Sequence, residues 1–286
     1  MIKLKKILAI MFSVVLILSM NIGIFASEIT KGQFFSDPEW EGYTLGNDYY
    51  IDKNGDVIYT YEQVEEVPFK YTDPSTRLVG TDVLIVKAKY GYNTKNKKLT
   101  FTVNIDCPTD LVFKPNINLA LGLTKANSKN GSYSTAISKK NLGKVNYLKD
   151  YTVEYSGTNH YKLTAYISAN DSNTVVIKPS LTFYSCRNRT GKVWDFYHTD
   201  PNSKVKIEEP QTNWSINQQN RPSNLNKTYQ DTYNKTYGTN IKVGSDVKID
   251  VHHVRPLKYG GSNNMSNLVH IPTSFHSKIT GWFSGY

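Results

Sequence analysis

Apolar and polar residues alternate along much of the chain between residues 81 and 200, with the period of two that is typical of half-buried strands. The runs that follow this pattern cover residues 83–90, 99–105, 151–155, 161–167, 174–177 and 181–184. Clusters of Gly, Asn, Ser, Asp and Pro separate them, as in sandwiches of short antiparallel strands. We therefore predict an α+β protein that is mainly β, with an antiparallel β-sandwich domain over residues 81–200.

A hairpin is predicted ahead of this domain. Two apolar runs at residues 49–51 and 57–61 flank the dipeptide Asn54-Gly55, which is a strong signal for a tight turn. The surrounding segment is acidic, because residues 28–82 contain twelve Asp or Glu against four Lys or Arg. We predict an acidic β-hairpin region over residues 27–80, and its charge argues against contact with nucleic acid.

The amino terminus has the layout of a secretory signal peptide. Three lysines precede the apolar run 7–20, and Ala26 supplies a small residue for cleavage before a polar segment. We predict that residues 1–26 are removed and that the protein is secreted or extracellular. The alternative is an uncleaved anchor, because the apolar stretch 7–25 is nearly long enough to span a bilayer.

The chain contains two cysteines, Cys107 and Cys186. An exported protein can join such a pair in a disulfide bridge, and two free or buried thiols fit the sequence as well. Their spacing does not resemble a zinc knuckle.

A helical period begins after residue 224. Large apolar residues recur every four positions, which places them on one helix face that Gly238 can end: Leu225, Tyr229, Tyr233 and Tyr237. The preceding residues 201–224 are rich in Pro, Asn, Gln and Ser and are predicted to form a linker. We expect the aromatic stripe to pack against the carboxyl-terminal unit, which alone is too small to bury a good core.

The last 40 residues predict a strand, a loop, a second strand and a helix. Residues 249–252 alternate, so Asp250 and His252 should share a face. Pro256 and the Gly260-Gly261 pair should end the strand in a loop, after which residues 267–271 form the returning strand.

A helix should follow the returning strand. Pro272 ends the strand, and Thr273 or Ser274 can cap the helix. This helix carries His276 and Thr280 one turn apart on one face.

Histidines from the first strand and from the helix suit a divalent cation. His252 and His276 would hold it, with Asp250 nearby and the remaining positions left to water, as in a catalytic rather than a structural metal site. His253 should point to the opposite side of the backbone, so both histidines could serve only where pairing breaks down near a strand end. His253 would then stay free of metal, and an unperturbed pKa near ~6.5 suits it to accept a proton from water.

The ordered set of residues in this region resembles the HNH endonuclease motif of the ββα-metal type, which is also found in nuclease colicins. The residues that carry the resemblance are His252-His253, Pro256, Gly260-Gly261, Asn267-Leu268 and His276. The resemblance implies an HNH nuclease domain, which we place at residues 225–286.

The resemblance also implies roles for individual residues. His252 and His276 would be metal ligands, His253 the general base, and Asn267 the residue that ties the loop and orients the base. Asp250 falls where colicin-type members have an acidic residue. Thr280 falls where those colicins have a third metal-binding histidine, so water or phosphate would complete the metal shell.

Charge extends this picture without deciding the partner. The formal net charge is +10, and residues 83–206 contain nineteen Lys or Arg against seven Asp or Glu. A basic surface attracts the phosphate backbone of nucleic acid through counterion release, and it suits an anionic cell wall equally well.

The combined patterns predict an exported, metal-dependent endonuclease that cleaves DNA with low sequence specificity, one candidate role being that of a secreted toxin. Arg255 and Lys258 in the loop would bind flanking phosphates, and the cation would be Mg²⁺, Zn²⁺, Ni²⁺ or Mn²⁺. Double-stranded DNA is the substrate that the resemblance implies, and RNA stays open. A toxin would need an immunity or inhibitor protein in the producing cell.

The alternative is a non-enzymatic envelope or adhesion protein. Its β-sandwich would bind a cell-wall or surface polymer, and its histidines would close a small carboxyl-terminal subdomain around zinc.

Overall fold

The computed structural model describes residues 48–51, 57–93, 95–107 and 114–286. The predicted signal peptide and the Asn54-Gly55 turn lie outside these residues. Within them the chain is mostly antiparallel β-sheet with few helices, so the predicted β-rich α+β class is confirmed. No helix in these ranges is long and apolar enough to cross a bilayer.

The first of two large sheets has six strands. They are β1 (Asp48–Ile51), β2 (Val57–Thr72), β3 (Val79–Asn93), β4 (Lys98–Asp106), β7 (Tyr151–Tyr155) and β9 (Thr174–Val176). Their order is β1-β2-β3-β4-β7, with β9 paired to β2, and every pair is antiparallel. In β3 the buried Val86, Ala88 and Tyr90 alternate with the less buried Lys87 and Lys89, as the period of two predicts.

The second sheet has four strands, β5 (Ile117–Ala126), β6 (Ser134–Lys144), β8 (Asn159–Ala169) and β10 (Ser180–Arg187). Their order is β10-β8-β5-β6. The buried side chains of both sheets form one apolar core. Phe101 of β4 meets Tyr161 of β8 in this core, with ring centroids 5.0 Å apart.

Five of the six strand runs read from the sequence lie within β3, β4, β7, β8 and β10, and the sixth covers β9 and extends one residue beyond it, so all six are confirmed. Two strands of the large sheets were missed. In β5, residues 119–121 are all buried, so the alternation is interrupted. In β6 every side chain is exposed or half-buried, and the apolar residues that pack against the core, Ala136, Ile137 and Leu142, do not follow a period of two.

The carboxyl-terminal region contains the predicted strand, loop, strand and helix. The elements are α1 (Leu225–Tyr237), the short pair β11 (His198–Thr199) and β12 (Lys206–Ile207), the hairpin β13 (Ile249–His253) and β14 (Leu268–Pro272), and α2 (Thr273–Phe283). Gly238 ends α1 in the left-handed conformation at φ 66°, as predicted. The predicted cap of α2 is wrong, because Pro272 occupies the cap position and no side chain caps the helix.

The hairpin of β13 and β14 separates two apolar clusters. Val251 and Leu268 pack against Leu225, Tyr229 and Tyr233 of α1. The opposite face carries Val269 and Ile271, which pack with Phe275, Ile279 and Trp282 of α2 and with Trp194 and Phe196. The residues of the predicted linker join this packing, since Ile207 is buried and Trp214 stacks on Phe283.

A buried carboxylate connects the segment before the predicted linker to α1 and β14. Asp200 accepts hydrogen bonds from the Tyr233 hydroxyl at 2.7 Å and from the Ser203 backbone at 2.7 Å, and its Oδ2 lies 3.5 Å from His270 Nδ1. Burial raises the pKa of Asp200, but the hydrogen bonds from Ser203 and Tyr233 outweigh it, so the net pKa is lowered and the group is charged.

A second buried polar group is His160 on β8. Its Nε2 donates to the Pro210 carbonyl oxygen at 2.7 Å, and its Nδ1 accepts from the Tyr184 hydroxyl at 2.6 Å. Burial is the main cause that lowers the pKa of His160. Cys186 lies close to this ring, and Cys186 and Cys107 are both buried and not joined in a disulfide bridge.

Tyr233→Phe should destabilise the protein by about 1–3 kcal/mol, because it removes a hydrogen bond to a buried carboxylate. Urea unfolding measures this change. Tyr237→Phe is the matched control on the same helix, since Tyr237 is exposed, and it should change stability by less than ~0.5 kcal/mol. Equal effects of the two variants would contradict the role assigned to Asp200.

Stability should fall as the pH drops below about 6.5, because the unfolded chain then binds a proton that the buried His160 does not. The folded pKa of His160 is lowered, so this contribution is complete above the unfolded pKa and is lost as the pH falls toward the folded pKa. His160→Gln should reduce the slope of unfolding free energy against pH by up to ~1.4 kcal/mol per unit. Urea titrations with chelator present measure the slopes, and equal slopes in both proteins would contradict this expectation.

Candidate metal and nuclease site

The structure brings His252 and His276 together. His252 lies on β13 opposite Val269, and this face of the hairpin is covered by α2, which carries His276. The two imidazole centroids are 5.0 Å apart with an interplanar angle of 70°. Burial is the main cause that lowers the pKa of His252 well below its usual value, and the nearby His276 adds to it. His252 is therefore a neutral imidazole at neutral pH.

Asp250 orients the second imidazole. Its Oδ2 lies 2.9 Å from His276 Nδ1, so this nitrogen donates to the carboxylate and Nε2 keeps its lone pair. Carboxylates hold metal-ligating histidines in this way and fix their tautomer. Asp250, the supporting acid of the sequence prediction, thus lies beside His276. It orients the imidazole of His276 and does not replace it as a candidate metal ligand.

The two imidazoles fit the role of metal donors by their surroundings. His252 is 4% exposed, and the nitrogen of a neutral imidazole can donate its lone pair to a cation. Among the described residues no group of three or more His, Cys, Asp and Glu is arranged to hold a metal.

His253 points to the other side of the hairpin, where its two ring nitrogens have different partners. Nε2 lies 2.9 Å from Asn263 Oδ1, and Asn263 Nδ2 donates to the Asn220 carbonyl at 2.9 Å. Nδ1 lies 3.3 Å from a guanidinium nitrogen of Arg221. Asn263 Oδ1 can only accept a hydrogen bond, so Nε2 carries the proton. The guanidinium can only donate, so Nδ1 carries the lone pair. Burial is the main cause that lowers the pKa of His253.

Asn267 ties the loop between the two strands. Its Oδ1 accepts from the Arg255 backbone at 2.8 Å, and its Nδ2 donates to the carbonyl oxygens of Arg255 at 3.0 Å and Ser262 at 2.8 Å. Gly261 permits this close packing, because a Cβ there would overlap the Arg255 carbonyl. The structure thus shows the predicted contact with the loop, while Asn263 is the residue that contacts the His253 ring.

Two cations lie on the surface of the same loop. Arg255 and Lys258 are both exposed. Arg255 Nε donates to the Tyr259 carbonyl at 2.7 Å, and its guanidinium lies 5.2 Å from the ring centroid of Trp214. The Arg255 side chain is therefore held in place, which limits the entropy that it would lose on binding a phosphate.

Sequence reasoning missed two residues of this site. Arg221 lies in the predicted linker, where nothing in the sequence distinguishes it from a solvated arginine. Its guanidinium also bonds to Asn226 Oδ1 at 2.8 Å and to the Val251 carbonyl at 3.2 Å. Asn263 is one of several asparagines in the loop, and only the folded geometry selects it.

Asn267→Ala should loosen the loop by about 1–3 kcal/mol, because two backbone carbonyls and one amide lose their partner. Hydrogen–deuterium exchange of peptides that contain Arg255 should accelerate by a matching factor. The control is Asn264→Ala, which alters an exposed asparagine of the same loop and should leave the exchange unchanged. Exchange at the wild-type rate in Asn267→Ala would refute its role as the tie.

The site as a whole presents two imidazoles that meet, a third that has a fixed tautomer, and exposed cations on the connecting loop. It could hold a transition-metal dication, accept a proton and bind phosphate. Comparison with protein-family models, with curated proteins and with solved structures found no match for this chain.

Proposed function

We propose that the protein is an exported, metal-dependent endonuclease of the HNH type that cleaves DNA with low sequence specificity. The observation that carries the proposal is the meeting of His252 and His276 on one face of the hairpin, beside His253 at the end of β13, whose Nδ1 is the acceptor nitrogen of its ring. The strand, strand and helix arrangement supports a ββα nuclease unit. The shared core of the two large sheets supports a β-sandwich.

The donor set favours a particular class of cation. Imidazole nitrogens suit Zn²⁺ and Ni²⁺ better than Mn²⁺ and Mg²⁺, which prefer oxygen ligands. His252 and His276 would hold the cation, and Asp250 would keep His276 in the tautomer that binds metal. Such a cation supplies Lewis-acid stabilisation of the charge that develops on the phosphate.

His253 is suited to deprotonate the attacking water. Its Nε2 is fixed on Asn263, so Nδ1 is the atom that receives the proton. The lowered pKa keeps the ring neutral before the reaction at neutral pH. The bond between Nε2 and Asn263 persists in the imidazolium, because both nitrogens are then donors.

Arg221 links substrate binding to the availability of His253. In the described structure its guanidinium occupies the side of the ring that carries the Nδ1 lone pair. A phosphate attracts a guanidinium far more strongly than a neutral imidazole does, so substrate would draw Arg221 away and open Nδ1 to water. Arg255 and Lys258 would hold the flanking phosphates, which position the backbone without reading bases.

The test is a plasmid-nicking assay with Zn²⁺, Ni²⁺, Mn²⁺ or Mg²⁺, each with and without chelator. His253→Ala should reduce cleavage by about 10²- to 10⁴-fold while the protein stays folded, because it removes the general base. Thr280→Ala is the control, since Thr280 is exposed one turn beyond His276 and should leave cleavage unchanged.

Full cleavage by His253→Ala would refute the assigned base. Absence of cleavage with every metal, together with strong destabilisation by chelator, would instead favour the non-enzymatic protein with a zinc-closed subdomain.

A further inference from the structure

The two large sheets differ sharply in charge. The six strands of the first sheet contain seven Asp or Glu and four Lys or Arg. The four strands of the second sheet contain no Asp or Glu. Apart from the fully buried Arg187, they contain five basic residues, namely Lys125, Lys139, Lys140, Lys144 and Lys162. The second sheet therefore suits an anionic ligand.

The outer face of this sheet is built so that side chains from β8 and β6 meet across β5. Between them β5 presents Asn118, Ala120, Gly122 and Thr124, which are all small. The ring of Tyr166 from β8 lies over Gly122, where a Cβ would be 3.5 Å from the ring. Lys139 from β6 places its ammonium 4.3 Å from the centroid of the same ring.

The same arrangement recurs four residues earlier on β8. Lys162 places its ammonium 3.9 Å from the ring centroid of Tyr133, which immediately precedes β6. Because a strand rises about 3.3 Å per residue, the two lysine–tyrosine pairs are roughly 13 Å apart along the sheet. Beside the Tyr166 pair lies an open groove of about 560 Å³, whose polar lining includes Asn118, Asn141 and Ser168.

A third lysine–tyrosine pair lies on the side of the loop between β13 and β14, which carries Arg255. The Lys129 ammonium lies 5.1 Å from the ring centroid of Tyr184 and pairs with the Glu209 carboxylate at 3.4 Å, and its carbonyl accepts from the Tyr133 hydroxyl at 3.1 Å. Two residues earlier, the Asn127 carbonyl accepts from the backbone of Thr212 at 2.8 Å. Thr212 is two residues from Trp214, on which Arg255 lies.

We propose that this aromatic–basic strip, formed by Tyr133, Tyr166, Lys139 and Lys162, binds single-stranded nucleic acid. The lysines contact the phosphates, and bases stack on the tyrosine rings, which accept any base because every base has a π-face. The role of the strip in presenting substrate to the histidine site rests on the proposed nuclease function, whereas the binding itself does not. Continuity with the Trp214 and Arg255 contact favours nucleic acid over an acidic polysaccharide.

The test measures fluorescence anisotropy of a labelled oligothymidylate of about 12 nucleotides in the presence of chelator, so that cleavage does not interfere. Tyr166→Ala should raise the Kd roughly 5- to 100-fold through loss of one stacked base. Lys139→Gln should lower the slope of log Kd against log salt by about 0.7, the value for one phosphate contact on a single strand.

Two variants serve as matched controls. Tyr166→Phe keeps the ring and should bind like the wild type. Lys149→Gln removes one charge from an exposed lysine that lies 5.6 Å from the Tyr151 ring, beside the first sheet, and should also leave the Kd unchanged.

Equal binding by Tyr166→Ala, Lys139→Gln and the wild type would overturn the proposal. The proposal would also be overturned if the protein bound polygalacturonate instead of the oligonucleotide and Tyr166→Ala lost that binding. The strip would then be a glycan site. Failure of the nuclease proposal would appear separately, as absence of plasmid nicking with normal oligonucleotide binding.

Discussion

The antiparallel pairing of β13 with β14 is the constraint on which the candidate site depends. It sets His252 opposite Val269, on the face that α2 covers. Successive residues of a strand point to opposite sides, so the same pairing directs His253 toward Asn263 and Arg221. A shift of one residue would exchange the two faces. Two adjacent histidines therefore differ in chemistry because the strand gives them different neighbours.

Their neighbours distinguish the histidines from one another. Both ring nitrogens of His160 have hydrogen-bond partners, and His270 Nδ1 lies close to Tyr229 and Asp200. His252 differs because its ring meets that of His276, with 5.0 Å between the centroids, and Asp250 contacts His276. The meeting of two imidazoles, rather than the number of histidines, identifies the candidate site.

The sequence predicted the features that depend on local pattern. Alternation located six strands, and the Pro and Gly residues of the loop located the turn between β13 and β14. The sequence also predicted that His252 and His276 converge, because the helix directly follows the returning strand β14 and packs on the hairpin. The edge strand β6 was missed because none of its side chains is fully buried and its core-facing apolar residues do not follow a period of two.

The partners of His253 could not be read from the sequence, because contacts between distant segments decide them. Asn263, Asn264 and Asn267 are equivalent in composition, yet the first bonds to the imidazole and the third ties the loop. Arg221 is separated from His253 by 32 positions, and only the packing of α1 against the hairpin brings it near.

The position of Arg221 bears on modularity. A ββα unit excised at residue 225 would retain His252, His253 and His276 but would leave behind Arg221 and the Asn220 carbonyl that holds Asn263. Recombination that transferred only this unit to another protein would move the metal-binding histidines without the groups that govern the proton acceptor. The smallest segment that could be transferred with all of these contacts is therefore longer than the HNH-like motif itself.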